Sequence, residues 1–307
     1  MRVVITGAGG LIGRRLVAAL LARGDEVVAL TRDAVRLTTA LGVSAESWQP
    51  EAAPAPAAAL EDASAVVHLA GEPIAQRWTH EARRRIRDSR VIGTRNLLAG
   101  IAALPDGGRP RTLVSASACG YYGPRGEEIV TENDGPGGDF LAGICVAWER
   151  EAQAAETLGL RTCRIRTGIV LDPDGGALGR MLGPFRLGLG GPAGSGRQWL
   201  PWIHRDDLTG LYLGALDDDS WHGAYNACSP EPVTNAAFAK ALGHVLRRPA
   251  LLPTPAPVLR AMFGEMASTI TTGQRAVPQA AITAGFDFTQ PEIGAALAGL
   301  LEEVVSR

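Results

Sequence analysis

The sequence predicts an α/β protein: a parallel sheet covered on both faces by helices, with a smaller C-terminal part. Three observations predict it. Short apolar runs alternate with helical stretches through the first half of the chain. A glycine-rich turn, GAGGLIG, joins the first run to the first helix. Runs such as AVVHLA are continuous rather than alternating, as strands buried on both faces require.

Taken in order, residues 3–6 (VVIT) form a short strand ending in Gly-Ala-Gly-Gly. Leu11, Ile12, Leu16, Ala19, Leu20 and Leu21 recur at helical spacing, and Gly24 stops that helix. Residues 26–31 form a second strand, residues 44–48 a weak one and residues 64–69 a further clear one. Between the last two, EAAPAPAAA reads as a Pro/Ala loop. Residues 84–103 form a long helix, polar first and then apolar. Residues 111–115 are a strand, 140–158 are helical and 161–167 are a strand. Strands separated by helices imply βαβ units. Beyond Leu171 the texture changes. Residues 175–196 are glycine-rich and read as a long loop with a short helix. Residues 202–207 resemble a strand leading into a helix at Leu208, and residues 230–307 carry prolines and short helices. The expected division is a nucleotide-binding domain over 1–171, to which 203–228 return, and a substrate cap made of 172–202 and 229–307.

Composition narrows the function. With 46% hydrophobic and 20% charged residues in 307, the chain can bury a sizeable core, which excludes disorder as its main state. A net charge of −2 gives no electrostatic case for nucleic acid or a membrane surface, and no apolar run approaches the roughly 18 residues of a membrane span. Cys119, Cys145, Cys163 and Cys228 form no C-x-x-C pair and lie near no histidine at metal-ligand spacing, so no metal site is expected. Reduced thiols and an N-terminus that starts as a strand rather than a signal peptide lead to the expectation of a cytoplasmic protein. Lys240 is the single lysine among 30 basic residues, which excludes a catalytic lysine anywhere else.

The glycine turn carries a specific chemistry. Gly7, Gly10 and Gly13 follow a strand and open a helix. The first allows the tight turn, the second lets backbone approach a pyrophosphate, and the third lets helix and strand pack closely. The helix N-terminus then offers free N–H groups to phosphate. At the end of the second strand an acidic residue would hold a ribose 2′-hydroxyl; Thr31 and Arg32 stand there instead. Arg32 suits a 2′-phosphate, so NADP(H) is the expected cofactor.

Several stretches together resemble a known family: VVITGAGGLIG, VVHLAGEPI, Ser89-Arg90 with VIGTRNLL, LVSASACGYYG, WIHRDDL and GAYNACSPEPVTN. They are similar to the extended short-chain dehydrogenase/reductases, the superfamily of sugar-nucleotide epimerases and dehydratases. LAGEPI, GYYG, VAWERE, RTGIVLDPDGGAL, GQRAVP and GFDF resemble its atypical branch of "epimerase family" proteins. The resemblance implies a Rossmann-type, doubly wound parallel sheet of about seven strands with NADP(H) at its carboxyl edge and a smaller C-terminal α/β cap. It implies that Gly7, Gly10, Leu11, Ile12 and Gly13 hold the pyrophosphate, and that Thr31 and Arg32 flank the adenosine ribose phosphate. It also implies that Leu69, Ala70 and Gly71 line the adenine and ribose channel, that Arg90 is a further contact, and that Ile169 lies near the nicotinamide. A homodimer through the helices near 80–104 and 140–158 is the superfamily's pattern.

The chain departs from that family where proton transfer occurs. The usual set is a Ser or Thr and a Tyr-x-x-x-Lys on a helix, the lysine lowering the tyrosine pKa. Counting from VAWE places the tyrosine slot at Leu141 and the lysine slot at Cys145. Two readings follow. In one, Ser117, Tyr121 or Tyr122, near the end of the fifth strand, polarises a carbonyl or donates a proton in an oxidoreductase or epimerase-like enzyme acting on a small polar substrate. In the other, the chain binds NADP(H) as a non-catalytic sensor, and side chains such as Phe140 or Trp202 fill the space beside the nicotinamide. Arg180, Arg186 and Arg197 punctuate the glycine-rich stretch and would suit a phosphate or carboxylate. Gly273, Gln274 and the hydroxyls of Ser268, Thr269, Thr271 and Thr272 offer a polar wall from the cap. His68 and His204 read as structural residues within apolar surroundings.

Overall fold

A computed structural model describes residues 1–305. Seven parallel strands form the central sheet. They are β1 (Arg2–Thr6), β2 (Glu26–Thr31), β3 (Ser44–Ser47), β4 (Ala65–His68), β5 (Thr112–Ala118), β6 (Arg161–Thr167) and β7 (Gly223–Ala227). Their spatial order is β7-β6-β5-β4-β1-β2-β3. β1 is therefore flanked by β2 and β4, with Ile5 opposite both Ala29 and Val67. The winding reverses between β1 and β4, and a crevice opens at their carboxyl ends, where ligands bind in sheets of this kind.

The residues of β1 show why the sheet is buried on both sides. Val3 and Ile5 join a core with Leu16 and Leu20 of α1 (Leu11–Ala22) and Leu208 and Leu211 of α6 (Arg205–Asp217). Val4 faces the other way, toward Leu97 and Ile101 of α3 (His80–Ala102) and Ala152 of α4 (Phe140–Gln153). Successive side chains on a strand point to opposite faces, so a run with a helix layer on each side must be apolar throughout. α2 (Ala34–Leu41) completes the first layer through Leu37.

A separate core forms on the C-terminal side. Leu178, Leu182 and Phe185 of α5 (Gly176–Arg186) pack with Trp202, with Phe238 and Leu242 of α7 (Asn235–Val245), and with Leu297 and Leu300 of α9 (Ile293–Val305). α8 (Ala256–Phe263) and the short helix Ala267–Thr271 form a smaller cluster of their own, through Leu259 and Ala267 with Ala193. The last two residues of the expected cap, 306 and 307, lie outside the described residues.

Several boundaries move for physical reasons. β5 runs on to Ala118, because SASA continues the ladder with β6 as far as Ala118 opposite Thr167, so Ser117 is a strand residue. α3 begins one turn early, at His80, because the Thr79 hydroxyl accepts the Ala82 N–H as an N-cap. The strand expected over 202–207 stops at His204. It pairs only with the three residues Ile169–Leu171, outside the main sheet, and the His204 Nδ1 then accepts the Asp206 N–H to cap α6. Residues 223–227, for which no separate strand is expected from the sequence, close the sheet beside β6.

Candidate functional site

The glycine turn sits at the crevice, and its geometry fits a pyrophosphate. Gly7 adopts φ +73°, and a Cβ there would lie 2.8 Å from the Leu69 carbonyl carbon. A Cβ on Gly13 would lie 2.4 Å from the Gly7 oxygen, so helix and strand touch through bare backbone. Gly10 is the N-cap of α1, and no side chain caps that helix. By contrast Asp33, Thr79 and Asp139 cap α2, α3 and α4. An uncapped N-terminus at the sheet's switch point leaves N–H groups for an anion.

A cleft of about 340 Å³ extends from this turn. Gly7, Gly10, Thr31, Arg32, Leu69, Ala70 and Gly71 line it. Asp33 does not, because its carboxylate accepts the Arg36 N–H and caps α2. The end of β2 therefore presents a cation and a hydroxyl, which fits a 2′-phosphate. The sequence does not single out Trp48, yet this residue also lines the cleft, its indole N–H donated to the Ala53 carbonyl. Leu11 and Ile12 lie beyond the turn on α1. Leu11 packs toward Gly175 and Gly176, and Ile12 packs into the sheet core.

The floor of the cleft is fixed by a buried chain of hydrogen bonds. The Thr6 oxygen accepts the N–H groups of Leu69 and Ala70, each at 3.1 Å, so its own proton goes to His68 Nδ1 at 2.7 Å. His68 Nε2 then donates to Thr94 Oγ1 at 3.0 Å, and Thr94 donates to the Arg90 carbonyl at 2.6 Å. Burial, with the Arg90 charge nearby, holds the His68 imidazole neutral, its pKa lowered to about 4. Arg90 is itself buried. It donates to the carbonyls of Glu72 and Ile86, and its guanidinium would meet a Cβ on Gly71 at 3.1 Å. It supports the Gly71–Glu72 wall from behind.

The end of β5 holds a second buried network. Ser117 Oγ donates to Glu149 Oε1 at 2.6 Å. Arg166 forks onto the same carboxylate at 2.8 and 2.9 Å and also donates to the Tyr122 hydroxyl at 2.9 Å. Tyr122 donates to Asn226 Oδ1 at 2.7 Å. Burial pushes the Tyr122 pKa well up. Both hydroxyls, Ser117 and Tyr122, are thus spent inside the protein. Tyr121 is half-buried, its ring 3.6 Å from the Arg166 guanidinium carbon. The sequence gives no signal for Glu149 and Arg166, which are separated from their partners by tens of residues.

Beside these lies a small pocket of about 150 Å³ between the ends of β5 and β6 and the C-terminal segment. Ile169, Leu141 and Cys119 line it, with Asp139, Thr167, Thr269, Thr272 and Gln274 as its polar side chains. Of the polar residues expected from the cap, Thr269, Thr272, Gly273 and Gln274 line this pocket, Ser268 lines the neighbouring cleft, and Thr271 turns toward Gly194. None of Ser117, Tyr121 and Tyr122 lines the pocket. Leu141, at the tyrosine slot, faces it, whereas Cys145, at the lysine slot, is buried with its thiol pKa pushed up to about 12. Trp202 is fully buried in the C-terminal core, and Phe140 lies in a neighbouring cleft, so neither fills the space. Asp139 carries no functional signal in the sequence. Its position just before an apolar helical run marks an N-cap, and capping uses only one carboxylate oxygen, Oδ1 to Ala142 N–H at 2.8 Å.

The neighbouring cleft, about 580 Å³, shares Asp139 and Leu141 with the pocket and continues past Trp78, Arg83, Phe140 and Arg260. Arg180, Arg186 and Arg197 line neither space. Arg180 donates to the Ala75 carbonyl and ties α5 to the loop before α3. Among the described residues no group of three or more His, Cys, Asp or Glu could hold a metal, and no helix is long and apolar enough to cross a membrane.

Comparison with known proteins agrees with this geometry. The family model described as "NAD dependent epimerase/dehydratase family" matches residues 3–228, and one described as a domain of unknown function matches residues 254–300. The chain is 42% identical over 297 residues to the epimerase family protein MT2273 of Mycobacterium tuberculosis, covering 96% of each. It is 38% identical to the human epimerase family protein SDR39U1, covering 97% of this chain and 98% of that one. The crystal structure of human SDR39U1 with NADPH superposes with a TM-score of 0.86 at 34% identity, over 98% of this chain and 99% of that chain.

Proposed function

The chain belongs to the NAD dependent epimerase/dehydratase family, and from that premise we propose that it is an NADP(H)-dependent oxidoreductase or epimerase-like enzyme acting on a small polar substrate. The observation that carries this reading is the pocket of about 150 Å³ beside Ile169, whose mostly apolar wall, Leu141, Trp199 and Leu200 included, is broken by the polar side chains of Asp139, Thr167, Thr272 and Gln274. In this reading residues 1–171 with 203–228 hold the cofactor and residues 172–202 and 229–307 form the substrate cap.

The roles divide as follows. Gly7, Gly10 and Gly13 bring backbone against the pyrophosphate, with Leu11 and Ile12 in the first turn behind it. Arg32 and Thr31 take the 2′-phosphate, Leu69, Ala70 and Gly71 line the nucleoside, and Arg90 positions Gly71 rather than touching the ligand. NADP(H), when bound, supplies or accepts a hydride at its nicotinamide. Ile169 and Leu141 exclude water from the reacting end. Thr167, Thr272 and Gln274 orient a polar substrate. The free carboxylate oxygen of Asp139 accepts a proton from a substrate hydroxyl in the oxidising direction. Ser117, Tyr121 and Tyr122 are positioning residues that brace the pocket floor through Arg166 and Glu149.

A second reading, a non-catalytic NADP(H) sensor, is favoured by Leu141 and Cys145 at the tyrosine and lysine slots. A screen of carbonyl compounds and nucleotide sugars, following loss of NADPH absorbance, separates the two. Turnover that falls about a hundredfold or more in Asp139→Asn, a variant that keeps the N-cap, supports the enzyme reading. NADPH binding without turnover of any compound supports the sensor.

A further inference from the structure

The larger cleft next to the reacting pocket has no assigned ligand, and its walls specify one. Trp78 and Phe140 meet edge to face at 5.1 Å, with the Trp78 indole N–H donated to the Ile74 carbonyl, so an aromatic platform is fixed in place. Four charged side chains line the space: Arg83, Arg260, Asp139 and Glu265. Arg83 is paired with Glu265 and lies 4.7 Å from the Phe140 ring centroid. Arg260, exposed on α8, pairs with no carboxylate among the described residues. The lining therefore offers one uncommitted positive charge in the same cleft as the aromatic pair.

With Arg83 already neutralised by Glu265, a diphosphate would bring at least two negative charges to a cleft whose remaining charges are one arginine and the Asp139 carboxylate, and the three arginines of the glycine-rich stretch that could offset them do not line it. A ligand with a flat apolar body and a single carboxylate matches the walls: ring against Trp78 and Phe140, carboxylate on Arg260, and the opposite end at the Asp139 and Leu141 junction with the reacting pocket. We propose that this cleft makes the protein selective for small aromatic carbonyl compounds, or the corresponding alcohols, that carry one carboxylate. The inference rests on the oxidoreductase reading for what happens at the far end, but the recognition itself is a binding property of the cleft.

The test is a calorimetric titration of para-(hydroxymethyl)benzoate into the full chain, with and without saturating NADP+. Benzyl alcohol, the cyclohexane analogue of the acid, and UDP-glucose serve as comparisons. The inference expects the aromatic acid to bind best, and Arg260→Gln to weaken it about ten- to a hundredfold, to the level of benzyl alcohol. Phe140→Leu should remove its advantage over the cyclohexane analogue. Arg260 is exposed, so its replacement leaves the fold intact. Tighter binding of UDP-glucose, no binding of the aromatic acid, or equal binding by Arg260→Gln overturns the inference. Hydride transfer is read separately: para-carboxybenzaldehyde, NADPH and a proton would give para-(hydroxymethyl)benzoate and NADP+. Selective binding without this turnover would leave the cleft assignment standing and count against the oxidoreductase reading; turnover of other carbonyl compounds alone would do the reverse.

Discussion

On one side of the central crevice, the β1–α1 turn recognises its ligand with backbone; on the other, the ends of β5 and β6 and the start of α4 would have to act through side chains. The glycine side keeps every feature that phosphate binding needs: a positive φ at Gly7, bare contact at Gly13 and an uncapped helix start at Gly10. The other side has Leu141 and Cys145 at the positions where counting from VAWE would put a tyrosine and a lysine, and its Ser117 and Tyr122 hydroxyls sit in a buried network around Glu149 and Arg166. Backbone recognition has no substitute, because no side chain fits where a Cβ would lie 2.4 Å from a carbonyl oxygen. Proton transfer has several, because any suitably placed oxygen can serve.

Gly13 breaks the comparison most sharply. Gly13→Val should cost about 5 kcal/mol and abolish NADPH binding, since its side chain has nowhere to go but into Gly7 and Ala8. Thermal unfolding and fluorescence titration would show it. The buried network comes next. Glu149→Gln leaves the Arg166 guanidinium inside the protein without its carboxylate, for about 3–4 kcal/mol of lost stability in denaturant unfolding. NADPH affinity should change far less than in Gly13→Val if the two sides are independent.

His68 gives a pH-dependent handle on the cleft floor. It titrates at about 4 in the folded protein against 6.5 when free. Between these values the unfolded chain binds a proton that the folded chain does not. Stability from this group is therefore complete above about 6.5 and falls as pH drops toward 4, by up to about 3 kcal/mol. Unfolding curves across that range should lose this slope in His68→Gln. The smallest effect belongs to Gly143, on the exposed face of α4, where a Cβ meets nothing within 4 Å. Gly143→Ala should stabilise by about 0.5–1 kcal/mol and leave NADPH binding unchanged.

What the sequence revealed follows the same divide. The sheet, its helices and the glycine turn are local signals: apolar runs, helical spacing and three glycines within seven residues, each readable without knowing what packs on it. The seven-stranded parallel sheet appears as expected, but its edge strand 223–227 carries no signal of its own, the strand expected from residue 202 pairs outside the sheet, and ends shift, as at β5, where three small residues continue a ladder that needs β6 beside it. The Ser117–Glu149–Arg166–Tyr122–Asn226 network is not local. Its members come from β5, α4, β6, the turn after β5, and β7, and Glu149 within VAWERE looks like any charged residue of a helix until Arg166 is placed next to it. Ser117 and Tyr122 read as available hydroxyls for the same reason. Asp139 is hidden differently, because an N-cap explains the residue fully until the pocket beside it is seen.

If the nucleotide side is built for NADP(H), the two reduced cofactors must bind unequally. This is tested most directly by titrating the purified chain with NADPH and with NADH, in wild type and in Arg32→Gln. Wild type should bind NADPH the more tightly, and Arg32→Gln should weaken NADPH about ten- to a hundredfold while leaving NADH nearly unchanged. Equal or tighter binding of NADH by the wild-type chain would contradict it.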